Sequence, residues 1–382
     1  MSATSLILRL DRVIDGALAA ERIVGAVVLV GRDGETVYAR AAGLADREAA
    51  APMRPDTIFR LASVSKPFVA AAALALVAQG RLALDRPITE WLPDFAPRHE
   101  GRPARITLRH LLSHASGLGY GFLEPADGPL HRAGVSDGMD RCGLTLAENL
   151  RRLAGVPLLF APGTGFRYGL GLDVAGALVA AATGLTLPEA VRRLVAEPLG
   201  LRDTGFALGD ASRLAAAYAD GVPLARRMRE PDTLPFGPGL AGIAMDPARI
   251  FDPEAFPSGG AGMVGTAAEV MRLLEALRGG GAPLMPPDLA AEMGRDQVAK
   301  IDLEGSPGWG YGLGFAVLRD PRAAGVAETP GTWRWGGVYG HSWLVDPARG
   351  LTLVALTNTA LEGMWSSGRF ALDLSRAIAA AP

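Results

Sequence analysis

The chain has 382 residues, 49% of them hydrophobic, which is enough apolar material to bury a large core in one unit of roughly two lobes and excludes a disordered protein. Its 38 basic and 40 acidic residues leave a net charge of -2, without the electrostatic footprint of a nucleic-acid or anionic-membrane partner. A single cysteine, Cys142, excludes an internal disulfide framework, and no Cys/His cluster has the spacing of a structural zinc site, so neither a metal nor a redox cofactor is expected.

The N-terminal stretch MSATSLILRLDRVIDGALAAERIVG has only a short apolar run before Arg9, Asp11, Arg12 and Asp15 interrupt it. It lacks a signal-peptide h-region and reads as an amphipathic surface helix, so the expected location is cytoplasmic. IVGAVVLVGRDG and ETVYARAAGLAD follow as two strands, with a hairpin turn at Asp33-Gly34. Next comes FRLASVSKPFVAAAALALVAQGRLAL, apolar on all sides past Lys66, which marks a helix enclosed by protein and starting at Ser63. Its uncharged run, Pro67 to Gly80, is too short to span a bilayer.

Ser63-Val64-Ser65-Lys66 places a hydroxyl and an amine three residues apart at that helix start, on one face and within mutual reach. Burial and the positive end of the helix dipole both disfavour the ammonium, so the amine can serve as proton acceptor for the hydroxyl. Of the 38 basic residues only two are lysines, Lys66 and Lys300. A lysine kept in so arginine-rich a chain suggests a task that arginine cannot do, which is to lose a proton near neutral pH. The competing reading is a helix-capping Ser63 with a snorkelling Lys66, and Lys300, in the polar GRDQVAKIDLEG, needs no special role.

The middle of the chain reads as helix and loop: ITLRHLLSHASGL, LAENLRRLAG, DVAGALVAAATG and LPEAVRRLVAEPLG, separated by Gly and Pro. His110 and His114 are spaced i, i+4, but without the glutamate of H-E-x-x-H or a third ligand they read as local hydrogen-bonding groups. Gly134-Val135-Ser136-Asp137-Gly138 matches G-x-S-x-G, yet its surroundings, HRAGVSDGMDR, are polar and loop-like where a nucleophile elbow needs a buried strand before it and a helix after it. A Pro/Gly-rich loop over 231–242 precedes one more helix, TAAEVMRLLEALRGGG, stopped by its glycines. From about Tyr311 the pattern turns strand-like: YGLGFAVLRD, TWRWGGVYGHSWLVDPARG and LTLVALTNT, with a closing helix from about Trp365.

Strands at both ends and helices between them predict an α+β fold, an antiparallel sheet built from both termini with a helical lobe inserted. The expected division is 1–60 plus 258–382 for the sheet lobe and 61–257 for the helical lobe, with the active site between them. Two glycines at Gly336-Gly337 in a strand-like run imply close approach of a backbone or ligand. His341 is the candidate base should a Ser-His-Asp triad operate instead, although chain order alone cannot define one.

FRLASVSKP, LLSHASGL, FRYGLGLDVAG, PSGGAGM and WGGVYGHSWLVDP together resemble the serine β-lactamase-like esterases known as family VIII carboxylesterases, over nearly the whole chain. That family shares its fold with class C β-lactamases and penicillin-binding D,D-peptidases, and in it the serine of S-x-x-K is acylated while the lysine assists. The resemblance implies those roles for Ser63 and Lys66, and for Tyr168 a proton relay to the leaving alkoxide; on the residues alone Tyr168 reads as a helix-flanking tyrosine before it reads as a catalytic one. It implies an oxyanion hole of the Ser63 and Val338 N–H groups, with Trp335, Gly336 and Gly337 along the substrate, whereas without it Trp335 would serve as an aromatic of a sheet core. Tyr120 would line the pocket or be a plain loop aromatic. Leu170 and Trp335 stand where lactamases have the asparagine of Y-x-N and the lysine of Lys-Thr-Gly, and would form an apolar wall. The expected activity is hydrolysis of small short-chain esters without a cofactor, with feeble β-lactam turnover. The alternative is a penicillin-binding or D,D-peptidase-like module that is acylated and turns over poorly.

Overall fold

The computed structural model describes residues 3–379 except 222–223, 300, 302, 304 and 365–367. Lys300 and Trp365 therefore lie outside the described residues. Helix α1 (Ala3–Ala19) is amphipathic as expected, burying Leu6, Leu10, Ile14 and Ala17 along one stripe. Strands β1 (Gly25–Arg32) and β2 (Glu35–Asp46) form the hairpin, and Asp33 and Gly34 both adopt positive φ (52° and 90°), the conformation a two-residue turn of this hand requires. A two-residue strand, β3 (Ala51–Pro52), borders β2.

The other five strands come from the C-terminal third: β4 (Trp309–Tyr311), β5 (Ala316–Leu318), β6 (Trp333–Gly337), β7 (His341–Asp346) and β8 (Leu351–Thr357). They join the hairpin in one antiparallel sheet of order β4-β5-β6-β7-β8-β1-β2-β3, so β1 sits beside β8 and ties the two ends of the chain together. The run GAVVLVGR is apolar without alternation because both faces of the sheet are covered. Val28 and Val30 pack outward with Leu10 and Phe370, while Val27 and Leu29 join the main core with Trp343 and Leu356.

Between the sheet segments lie α2 (Lys66–Ala78), α3 (Gly171–Thr183) and α4 (Ala267–Arg278), and α5 (Phe370–Ala379) closes the chain. Helix α2 is buried from Lys66 to Leu76 on every face, as its uniform apolar sequence requires. Burying each of its leucines contributes about 1.5–3 kcal/mol. Three expectations need correction. The helix does not begin at Ser63: a 3-10 turn, Ala62–Ser65, precedes it, because Pro67 has no N–H to donate and sits only in a first helical turn. The segment LRHLL is a single helical turn, Leu108–Leu112, ended where Ser113 leaves the helix. The middle of the chain also contains short strands, with the loop over 231–242 folding Asp232–Leu234 against Ile243–Met245. One core cluster runs from Val27 and Leu29 of the sheet through Leu74 of α2 to Val174 of α3.

Candidate active site

The turn Ala62–Ser65 carries the nucleophile candidate. Ala62 is held at φ 45°, a left-handed conformation that costs a non-glycine residue about 1–3 kcal/mol and is sustained by the surrounding packing. That kink turns Ser63 into a cleft of about 280 Å³, while Val64 and Ser65 point into the core. Lys66, fully buried, begins α2, and its Nζ donates to Ser63 Oγ at 3.0 Å and to the Gly260 carbonyl at 2.8 Å. Ser63 Oγ also lies 2.7 Å from Tyr168 OH, a pair in which either oxygen can donate. The amine also stands 4.7 Å from the Tyr168 ring centroid and 5.4 Å from that of Tyr120, within reach of both ring faces.

Tyr168 precedes α3 and is held among aromatic rings: His114 at 4.7 Å, Tyr120 at 5.0 Å and Trp335 at 5.2 Å between centroids. His114 Nδ1 accepts from Gly169 N–H at 3.3 Å, and burial holds this imidazole well below the usual histidine range, so it is a neutral support behind Tyr168. His110 Nδ1 accepts from Thr107 N–H at 3.4 Å in a capping box at the other end of the same turn. The two histidines thus serve different neighbours, and among the described residues no group of three His, Cys, Asp or Glu side chains could hold a metal ion.

Trp335, Gly336 and Val338 line the cleft with Ser63 and Tyr120. Gly337 does not, and the close approach that the glycine pair suggested is to backbone: a Cβ on Gly337 would lie 2.4 Å from the Leu61 carbonyl, and one on Gly336 2.3 Å from that of His341. The end of β6 can therefore run alongside the turn that bears Ser63. Leu170 is a correction. It caps α3 with its side chain fully buried in the core, outside the cleft, because the chain reverses after Tyr168 to begin the helix.

His341 is fully buried, donates Nε2–H to the Arg60 carbonyl at 2.8 Å, and is pushed down to about 4 by burial, so it faces the strand before Ser63 and not the hydroxyl. Ser136 is 4% exposed, with its hydroxyl given to Asp140 at 2.5 Å, and does not line the cleft. Asp137 beside it accepts from the N–H groups of Gly121 and Phe122 at 2.7 and 2.9 Å, clamping the turn that carries Tyr120 and Phe122. Sequence reasoning missed the cleft's other walls, Phe122, Phe166, Phe236, Trp309 and Arg334, and the Gly260 carbonyl. Only PSGGAGM, with its three glycines, hinted at the last.

The family model described as Beta-lactamase matches residues 10–374. Esterase EstB of Burkholderia gladioli is 53% identical over 380 residues, covering 99% of this chain and 96% of that protein. Among solved structures, EstCE1, described as a hydrolase with promiscuous acyltransferase activity, superimposes with a TM-score of 0.94 at 45% identity over 99% of both chains. A penicillin-binding protein homologue from Pyrococcus abyssi shares the fold, with a TM-score of 0.73 at 20% identity over 97% of this chain and 76% of that one. The full-length match, the sheet built from both termini and the pairing of cleft-facing Ser63 with buried Lys66 agree: the chain belongs to the β-lactamase family.

Proposed function

We infer that the protein is a serine esterase that hydrolyses small carboxylic esters through an acyl-enzyme on Ser63. The observation that carries this is the three-way contact of Ser63 Oγ with Lys66 Nζ at 3.0 Å and Tyr168 OH at 2.7 Å. Lys66 takes the Ser63 proton as Oγ attacks the ester carbonyl. The N–H groups of Ser63 and Val338 hold the oxyanion, a contribution of about 10²–10³ in kcat for each donor. As the tetrahedral intermediate collapses, Tyr168 gives its proton to the leaving alkoxide and recovers one from Lys66. Water then attacks the acyl-enzyme, its proton passes to the same pair, and the acid leaves with Ser63 restored. No step calls for a cofactor or a macromolecular partner.

The aromatic walls suit an alkyl or aryl ester, and Trp335 stands in place of the lactamase lysine while Arg334 lies with its guanidinium 3.6 Å from the Trp309 ring centroid, so lactam turnover is weak in this reading. In so apolar a cleft an alcohol can replace water as the second nucleophile, and the acyltransferase activity described for EstCE1 supports that extension. A cytoplasmic location belongs to the same proposal. The test is steady-state hydrolysis of p-nitrophenyl butyrate: many turnovers per protein are expected, and a single stoichiometric burst would indicate a module that is acylated and stalls. Among the described residues no single helix is long and apolar enough to cross a membrane.

A further inference from the structure

The first turn of α3 buries Asp173 completely, five residues beyond Tyr168. Its Oδ1 accepts from Ser258 Oγ–H at 2.6 Å, and its Oδ2 is turned toward Gly260, where a Cβ would lie 2.7 Å away. Gly260 is the residue whose carbonyl receives the Lys66 amine. The loop from Ser258 onward is tied at further points: Gly262 N–H donates to the Ser258 carbonyl at 2.8 Å, and Met263 N–H to Ser65 Oγ at 3.1 Å. It has no slack, since a Cβ on Gly259 would lie 2.3 Å from the Leu172 carbonyl of α3 and one on Gly138, in the 134–138 loop, 2.4 Å from Ser258 Oγ.

Burial raises the Asp173 carboxyl above the usual carboxylate range, while the Ser258 hydroxyl draws it back. A buried acid is costly to keep, and this one does not line the cleft and has no step in ester hydrolysis. What it does contact is the support of the amine. Lysine has a long, freely rotating side chain, so the direction of its lone pair is set by whatever holds the amine, and a misplacement of about 1 Å can cost 10²-fold in rate.

We propose that Asp173 is a positioning residue for the general base: through Ser258 it fixes the Gly260 peptide, whose carbonyl keeps the Lys66 amine on Ser63. The proposal rests on the reading of Lys66 as the proton acceptor. The test measures kcat and KM for p-nitrophenyl butyrate per active site titrated with a fluorophosphonate, so that unfolded protein drops out. Ser258→Ala and Asp173→Ala are each expected to lower kcat by about 10–10²-fold with KM within about threefold, because the loss is one of aim and not of substrate contact. The double variant should cost no more than Asp173→Ala alone, since both act through one bond. Gly260→Ala, which strains the same joint from its other side, should lower kcat similarly. Unchanged kcat in Ser258→Ala and Gly260→Ala, or additive losses in the double variant, would overturn the proposal, and the first two variants keep it testable should Asp173→Ala not fold. Full activity in Lys66→Arg would instead remove the reading beneath it.

Discussion

Two residues decide how the chemistry is assigned. A guanidinium keeps its proton at any working pH, so Lys66→Arg should be nearly as damaging as Lys66→Ala, with kcat down by about 10²–10⁴-fold in each; substantial activity in the arginine variant would make Lys66 an electrostatic group only. His341 has the opposite character, a buried neutral imidazole held at about 4 against an ordinary 6.5. Between those values the unfolded chain binds more protons than the folded one, so stability rises with pH across that window and is lost as pH falls through it. At 1.36 kcal/mol per pH unit the contribution is about 3 kcal/mol. His341→Asn retains an N–H for the Arg60 carbonyl but cannot titrate. Its Tm should therefore fall less between pH 7 and pH 4 than that of the parent protein, and equal slopes would mean that His341 is not held neutral. The value of the S-x-x-K spacing as a signal was local: three residues set the reach between hydroxyl and amine whatever else the chain does. Leu170 shows the limit of such reasoning, because the same short spacing from Tyr168 cannot tell a wall residue from a helix cap.

Among the elements, the loop over 134–138 shows how a motif can mislead and still matter. Ser136 spends its hydroxyl on Asp140, and among the described residues no amine or imidazole hydrogen-bonds to it, so Ser136→Ala should leave turnover within about twofold, whereas a large loss would reopen the elbow reading. Asp137 fixes the two N–H groups of the turn carrying Tyr120 and Phe122, so Asp137→Ala should loosen that wall. The expected result is a KM for p-nitrophenyl butyrate raised several-fold with a smaller change for the acetate, since only the longer chain needs the wall; a pure kcat effect would place Asp137 elsewhere in the account. The hairpin at Asp33-Gly34, the all-apolar α2 and the paired strands of the C-terminal third were legible because period and turn chemistry are local properties. The true start of α2 was legible as well, in Pro67, which sits only in a first helical turn, whereas the kink at Ala62 was not, since it is imposed by packing around an ordinary residue.

At the scale of the molecule, the sheet could be foreseen from strands at both ends of the chain, but the cleft could not. Phe122, Phe166, Phe236 and Trp309 come from four separate segments, and no spacing links rings that only the folded chain brings together. The resulting cavity argues for esters over lactams. Trp335 stands where lactamases carry the lysine of Lys-Thr-Gly, and losing that one contact to a substrate carboxylate costs about 1–3 kcal/mol, roughly ten- to a hundredfold in kcat/KM; the other cation in the wall, Arg334, lies with its guanidinium 3.6 Å from the Trp309 ring centroid. With Leu170 out of the cleft, that single contact and the aromatic walls carry the discrimination. Efficiency on p-nitrophenyl butyrate should thus exceed that on nitrocefin, and equal values would show that Trp335 does not set specificity. All of this depends on Ser63 being the residue that is acylated. The most direct measurement is peptide mapping by mass spectrometry after reaction with a fluorophosphonate: the adduct should sit on Ser63 and vanish in Ser63→Ala, and an adduct on Ser136 with Ser63 unmodified would contradict the assignment outright.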